Sequence, residues 1–363
     1  MKTVTLCMIL KNEEAVLQRC LDSIKDICDE IVIIDTGSTD NTKEIARLYT
    51  DKVIDFEWID DFSAARNFAF SHATMDYILW LDADDILLSK DLLKLRNLKR
   101  SLDGSVDAYS MYYNIAFDED GNPTFSYRRN RLVKREKNFQ WVGAVHEYLA
   151  VYGNIVPTNI AITHQKETKN SSILNDRNLK IYERRLEKGE EFTPRDLFYY
   201  ANELKDHSQF EKSILYYERF LGTKKGWIED EIRACINMAI CYRRLGNVEK
   251  EKESLVMSFV YDLPRPEVSC LLGDIYNQKR DFKRAIVWYR MAIEIEEEDH
   301  LGFKQIAYST WYPNLQLCYC YWEMGNMEKS LEHHKISMEC KPNDTNVKKN
   351  EEFFKSYLKE KYV

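Results

Sequence analysis

The stretch Tyr77-Ile78-Leu79-Trp80-Leu81-Asp82-Ala83-Asp84-Asp85 constrains the fold more than any other, because five apolar residues stop abruptly at three carboxylates spaced over four positions. A short, unbroken apolar run reads as a strand buried on both faces of a parallel sheet. The strand holds the first carboxylate in place and the following turn presents the others. Carboxylates so placed suit Mg²⁺ or Mn²⁺, which take one or two protein oxygens and fill their remaining positions with phosphate and water. A D-x-D on its own is more often a solvated acidic turn, so the flanking chain has to decide.

Upstream, residues 3–10 form a near-continuous apolar strand that Lys11-Asn12-Glu13-Glu14 breaks. Leu17, Cys20, Leu21, Ile24, Ile27 and Cys28 then follow the spacing of an amphipathic helix. A second strand over 31–34 runs into Asp35-Thr36-Gly37-Ser38-Thr39-Asp40-Asn41-Thr42. Strand, helix and strand make a right-handed βαβ unit with parallel strands. Ligands bind such sheets beyond the carboxyl ends of the strands, which is where Asp35 stands. Asn41 and Glu44 are spaced as a capping pair for a helix through Ile45 and Tyr49, and 52–56 is a third strand. Ser63 is the expected cap of the next helix, whose Ala65, Phe68 and Ala69 face the core. Arg66 and Asn67 then fall near its first turn, where backbone N–H groups favour anions.

Four segments in this order carry a resemblance: "LKNEE", "IIDTGSTDNT", "SAARNFA" and "WLDADD". Together they resemble the nucleotide-binding half of inverting GT-A glycosyltransferases of family 2, which includes bacterial polysaccharide and lipopolysaccharide transferases. The resemblance implies a Rossmann-like α/β domain with a mostly parallel sheet. It implies nucleotide contacts from Leu10, Asn12 and Glu13, from Asp35 at base or ribose, from Arg66 by the base or phosphates, and from Asp82 and Ala83. It further implies Asp84 and His164 as ligands of Mg²⁺ or Mn²⁺, His164 closing a short strand over 160–164. Many members carry two acids where this chain has Asp35-Thr36, which leaves the nucleotide base open.

Inverting transfer also needs a group to take the acceptor's proton, and Glu147, among the aromatic groups of Phe139 to Tyr148, suits that task. The string "GAVHEYL" resembles a subgroup that includes bacterial peptide S-glycosyltransferases acting on bacteriocin precursors of the sublancin type. A His-Glu pair tying down a loop is the structural alternative. Asp118 and Asp120 are next in order as bases. No Q-x-x-R-W string is present, which argues against a processive synthase and for a single-addition transferase.

Residues 107–117 alternate as a strand, the cluster at 118–123 turns, and the chain returns from Thr124 as a hairpin. The returning limb carries Arg128, Arg129, Arg131, Lys134, Arg135 and Lys137 against Glu136 alone. These cations suit a sugar diphosphate or an anionic acceptor, or else guard a solvated hairpin edge. The net charge of −8 argues against a nucleic-acid binder. Nine cysteines without a C-x-x-C pair read as reduced core residues. With the apolar run over 4–10 too short for a leader or a membrane span, the expectation is a cytoplasmic protein.

The division expected is a catalytic domain over 1–174, a helical linker over 175–192 and an all-α repeat domain over 193–363. Ala201, Leu204, Ser213, Tyr217 and Phe220 share their spacing with Gly273, Tyr276, Ala285, Tyr289 and Ala292, and with Cys318, Tyr321, Ser330, His334 and Ser337. Ala239, Tyr242 and Gly246 begin a further copy, 34 residues before Gly273, which is the tetratricopeptide period. The function expected is transfer of a hexose from a nucleoside diphosphate sugar, UDP first, to an acceptor that includes a peptide or protein Cys or Ser among its candidates. The alternatives are a cell-surface glycan or lipid-linked acceptor, and a non-catalytic scaffold. Repeats of this kind select a macromolecular acceptor or hold a homodimer.

Overall fold

Four apolar runs, β1 (Val4–Leu10), β2 (Glu30–Asp35), β3 (Val53–Asp55) and β4 (Tyr77–Trp80), form the parallel half of a sheet in the order β3-β2-β1-β4. Alternation divides β1 between two cores. Leu6, Met8 and Leu10 meet Leu17, Leu21 and Ile24 of α1 (Leu17–Ile24) on one face. Cys7 faces the other way, with Val32, Ile34, Trp141 and Ala69 of α3 (Phe62–Ser71). The computed structural model describes residues 2–117, 121, 123–165, 176–295 and 305–361, so Asp118 and Asp120 lie outside the described residues.

Beyond β4 the sheet continues through β7 (Pro123–Lys134), β6 (Ala108–Phe117), β10 (Ile155–His164) and β5 (Asp85–Ile86). β7 runs antiparallel to both neighbours, β6 and β10 pair in parallel, and β5 closes antiparallel on β10. The 107–134 region is thus a hairpin, but its basic limb is not a solvated edge. β7 lies between β4 and β6, and Arg131 is wholly buried there. β8 (Trp141–Val142) and β9 (Tyr148–Leu149) form a small separate ribbon.

Two helix starts differ from the sequence reading. Asp61, not Ser63, caps α3, its side chain accepting from Ala64 N at 2.9 Å. Asn41 precedes α2 (Thr42–Arg47) without a side-chain cap bond, and its backbone N and side-chain amide both donate to Glu14 Oε2, at 2.9 and 2.8 Å. Glu14 thus accepts from the backbone N–H that Glu44 of the expected capping pair would have served.

The chain divides into two units, Met1–Glu191 and Phe192–Val363. Helix α4 (Ser89–Ser101) and α5 (Arg177–Glu187) both belong to the first. The linker segment of the sequence reading is therefore mostly α5, with Leu179, Ile181 and Tyr182 buried.

The second unit is helical throughout its described residues. Its helices pair as α6 (Pro194–Asp206) with α7 (Phe210–Gly222), and α8 (Ile228–Arg244) with α9 (Val248–Met257). The pairing repeats in α10 (Pro266–Gln278) with α11 (Phe282–Glu294) and α12 (Trp311–Glu323) with α13 (Met327–Cys340), followed by α14 (Thr345–Lys361). The repeated spacing has a bond behind it. Ser213 Oγ donates to Ala201 O at 2.8 Å, and Ser330 Oγ to Cys318 O at 2.7 Å, so equivalent helix crossings are fastened alike. No helix among the described residues is long and apolar enough to cross a membrane.

Candidate active site

At the carboxyl ends of β1 and β4 lies a cleft of about 340 Å³, lined by Leu10, Glu13, Arg66, Asp82, Ala83, Asp84 and Glu147 among others. Seven of the ten residues singled out from sequence meet there. Asn12 and Asp35 flank the same strand ends without lining the cleft, and His164 comes up against Asp84 from β10.

Asn12, held at a positive φ of 56°, accepts from Thr39 N at 2.8 Å and so ties the β1 loop to the β2 loop. Asp35 Oδ1 accepts from Gly37 N and Ser38 N at 3.0 and 2.9 Å, shaping the turn, and its buried Oδ2 has no hydrogen-bond partner among the described residues. Glu13 is pushed up to about 7, first by burial and then by the charges of Asp84, Asp82 and Asp40.

Arg66 organises the centre. Its Nε donates to Glu147 Oε1 at 2.6 Å and its Nη2 to Asp82 Oδ1 at 2.7 Å. The resemblance placed Arg66 beside the base or phosphates, and in the structure its guanidinium is engaged by two carboxylates that line the cleft with it. Burial disfavours its charge, but Asp82 and Glu147 raise its pKa overall. Asp82 is likewise opposed by burial yet held well below the usual carboxylate range by Arg66, Arg131 and Arg129. Asn67 turns away and exchanges two hydrogen bonds with the backbone of Trp141, at 2.8 and 3.0 Å. Glu147 reaches Arg66 from a turn in which Gly143 has φ 101° and His146 φ 52°. The left-handed conformation strains a non-glycine residue, and here it sets the direction in which Glu147 leaves the backbone.

His164 arrives by strand pairing, since β10 sets it opposite Asp85 of β5. Its Nδ1 lies 3.2 Å from Asp84 Oδ1, 3.6 Å from Asp85 Oδ1 and 2.9 Å from Tyr113 Oη. Burial lowers its pKa, but the neighbouring Asp84 and Asp85 carboxylates outweigh that and carry it to about 9. Asp84, Asp85 and His164 each bring a ligand atom within 4.8 Å of the others.

Asp85 is the residue the sequence reading passed over. Its Oδ2 pairs with Arg131 at 3.0 Å and accepts from Asp82 N at 3.0 Å, while the wholly buried Oδ1 has no hydrogen-bond partner among the described residues. An orphaned carboxylate oxygen beside a second carboxylate and an imidazole fits a divalent cation that accepts oxygen and nitrogen. Arg129, Trp58 and Phe62 also line the cleft and were not assigned to it from sequence. The basic strip was the only signal that could have found Arg129.

The first unit is thus a Rossmann-like, mostly parallel sheet with these acids at its strand ends, and the second is a series of helix pairs. Residues 5–151 match the Glycosyl transferase family 2 model and residues 266–299 match a tetratricopeptide repeat model. The chain is 28% identical over 233 residues to the SPbeta prophage-derived glycosyltransferase SunS of Bacillus subtilis, covering 61% of this chain and 54% of that protein. It is 48% identical over 97 residues to a TPR repeat-containing protein of Synechococcus elongatus, covering 27% of this chain and 24% of that protein. An uncharacterized glycosyltransferase of Rickettsia typhi is 39% identical over 87 residues, 24% of this chain and 30% of that protein. The chain thus spans about half the length, or less, of the relatives it matches.

Proposed function

We propose that the first unit is an inverting, metal-dependent hexosyltransferase that moves a sugar from a nucleoside diphosphate, UDP first among the candidates, to an acceptor nucleophile. The observation that carries this reading is the Arg66 bridge, which ties Glu147 and Asp82 to one guanidinium across one cleft. It holds a proton acceptor and the donor end of the site in fixed relation, as an in-line displacement requires.

Asp84, Asp85 and His164 would hold Mg²⁺ or Mn²⁺, which supplies charge to stabilise the diphosphate leaving group. Leu10, Asn12, Glu13, Asp35 and Ala83 would seat the nucleotide, with Asp35 Oδ2 open to a donor from base or ribose. Glu13, poised near neutrality, would bond a ribose hydroxyl. Glu147 would take the acceptor's proton as the nucleophile attacks the anomeric carbon from the face opposite the departing phosphate, which inverts the centre.

For the acceptor we favour a peptide or protein side chain, Cys or Ser, on the likeness of Gly143-Ala144-Val145-His146-Glu147-Tyr148-Leu149 to peptide glycosyltransferases and on the helical repeats that follow. Glycan and lipid-linked acceptors are the alternatives. The repeats would select that acceptor or hold a homodimer. Free cysteines at all nine positions suit a reducing compartment, and we assign the protein to the cytoplasm.

The test is incubation with a panel of nucleotide sugars and Mn²⁺, following donor hydrolysis and melting shifts. One sugar nucleotide should be hydrolysed slowly, and Asp84→Asn should abolish that while keeping the fold. Full activity in EDTA, or an Asp84→Asn protein as active as wild type, would sink the metal-dependent reading.

A further inference from the structure

Three arginines pack against Trp80, with Arg66 Cζ 5.2 Å, Arg129 Cζ 5.6 Å and Arg131 Cζ 3.8 Å from a Trp80 ring centroid. Their hydrogen-bonding capacity is spent very differently. Arg66 is engaged by Asp82 and Glu147. Arg131, two residues from Arg129 on β7 and stacked on the same Trp80 and Tyr113 rings, is wholly buried, pairs with Asp85 at 3.0 Å and donates to Trp80 O at 3.2 Å. The Arg129 guanidinium makes no ion pair and no hydrogen bond among the described residues, yet it lines the cleft together with Asp82 and Asp84.

Aromatic rings hold it in place. Its Cζ lies 4.9 Å from the Tyr113 ring and 5.3 Å from the Tyr127 ring, besides Trp80. Such stacking fixes the plane of a guanidinium without using any of its five N–H donors. A partly buried cation with its donors unspent is costly unless something in the cleft accepts from it. On the nucleoside diphosphate reading above, the acceptor that reaches this wall beside Asp82 and Asp84 is the diphosphate.

We propose that Arg129 is the diphosphate clamp of the donor site, its planar fork donating to two phosphate oxygens, an assignment that rests on the nucleoside diphosphate reading above. The division of labour follows from charge. Arg66 and Arg131 are paired directly with carboxylates of the site, whereas Arg129 acts on Asp82 only at a distance and keeps its donors for the ligand. Being pre-oriented, it loses little side-chain entropy on binding, so it favours the diphosphate over the monophosphate or the bare nucleoside.

Calorimetric titration of the full chain with uridine, UMP and UDP in Mn²⁺, with the guanosine and adenosine series alongside, tests this. In wild type one diphosphate should bind more tightly than its nucleoside. Arg129→Gln should weaken that diphosphate about 10- to 100-fold, the worth of charge-assisted bonds to phosphate, and leave the nucleoside unchanged. Arg129→Lys should fall between. Should Arg129→Gln and Arg129→Met both bind the diphosphate as wild type does, Arg129 is no clamp, and the transferase reading stands without it. Equal losses for nucleoside and diphosphate would mean that Arg129 only shapes the pocket wall, which also overturns the inference. A wild-type chain that binds no diphosphate of the panel overturns the donor site itself, and this assignment with it.

Discussion

At the scale of single residues the site turns on how each charge is compensated. Glu147 is anchored by Arg66 at 2.6 Å, so an amide in its place keeps one acceptor oxygen and much of the geometry while losing the capacity to take a proton. Glu147→Gln should therefore cut turnover by roughly 10²-fold with donor affinity little changed, measured by transfer kinetics against nucleotide titration. Unchanged turnover with a lowered melting temperature would make Glu147 a structural partner of Arg66. His164 gives a prediction in pH. Its pKa is raised from 6.5 to about 9 by Asp84 and Asp85 against the opposing effect of burial, so the metal-free ion pair stabilises the fold fully below about pH 6.5 and fades as pH rises through 9. A cation must displace that proton. Mn²⁺ affinity should thus rise with pH across this window, by up to about tenfold per unit, with proton release visible in buffers of different ionisation enthalpy. Affinity independent of pH would exclude His164 as a ligand. Asp82, Asp84 and Asp85 were legible as an acidic group because they are close in the chain. That Asp85 stands beside His164 was not, because a distant strand pairing brings the two together while Arg131 occupies the other carboxylate oxygen.

At the scale of elements, periodicity read the chain well wherever it reports burial. β1, β2 and β4 lie where their apolar spacing placed them, α1 begins there but ends at Ile24, short of the expected Ile27 and Cys28, and the repeat spacing reappears as four helix pairs. It read β7 less well. Its cations left a ligand-facing strip and a solvated edge both open, since charge on a strand ordinarily means solvent, and here Arg129 and Arg131 are stacked on Trp80, Tyr113 and Tyr127 inside the sheet. Within the repeats, Gly273 of α10 offers a sharp test. A Cβ there would come within 2.6 Å of the Tyr289 ring of α11. Alanine improves helix propensity by about 1 kcal/mol, whereas overpacking a closed interface costs ~1–3 kcal/mol, so the clash should win. Gly273→Ala is expected to lower the melting temperature of the second unit while nucleotide binding by the first is kept. A stabilised protein would show that the Tyr289 ring can move aside.

For the whole molecule, the decisive question is where the first unit ends. α5 carries Leu179, Ile181 and Tyr182 at 6%, 0% and 0% exposure, and Arg177 and Asn178 line the cleft. Burying three such side chains is worth several kcal/mol, at about 1.5–3 kcal/mol each. A chain ending at Glu191 should fold and bind the nucleotide sugar, whereas one ending at residue 174 should be poorly soluble or melt far lower, as followed by circular dichroism and nucleotide titration. Equal stability of the two would return α5 to the status of a linker. The chain ending at Glu191 should also hydrolyse donor slowly yet lose transfer to the true acceptor. Transfer at the full-length rate would remove the repeats from acceptor selection.

The sequence by itself determined the strand ends, the amphipathic helices, the acidic motif after β4 and the repeat spacing, because each is written in the order and period of neighbouring residues. The tertiary structure alone decided what those parts become together. Arg66 and Glu147, 81 residues apart, meet because α3 and the turn before β9 fold over the same strand ends, and His164 reaches Asp84 because β5 closes on β10. Such encounters follow from sheet order and register, which depend on the summed burial of the whole unit, and no local stretch of the chain encodes them.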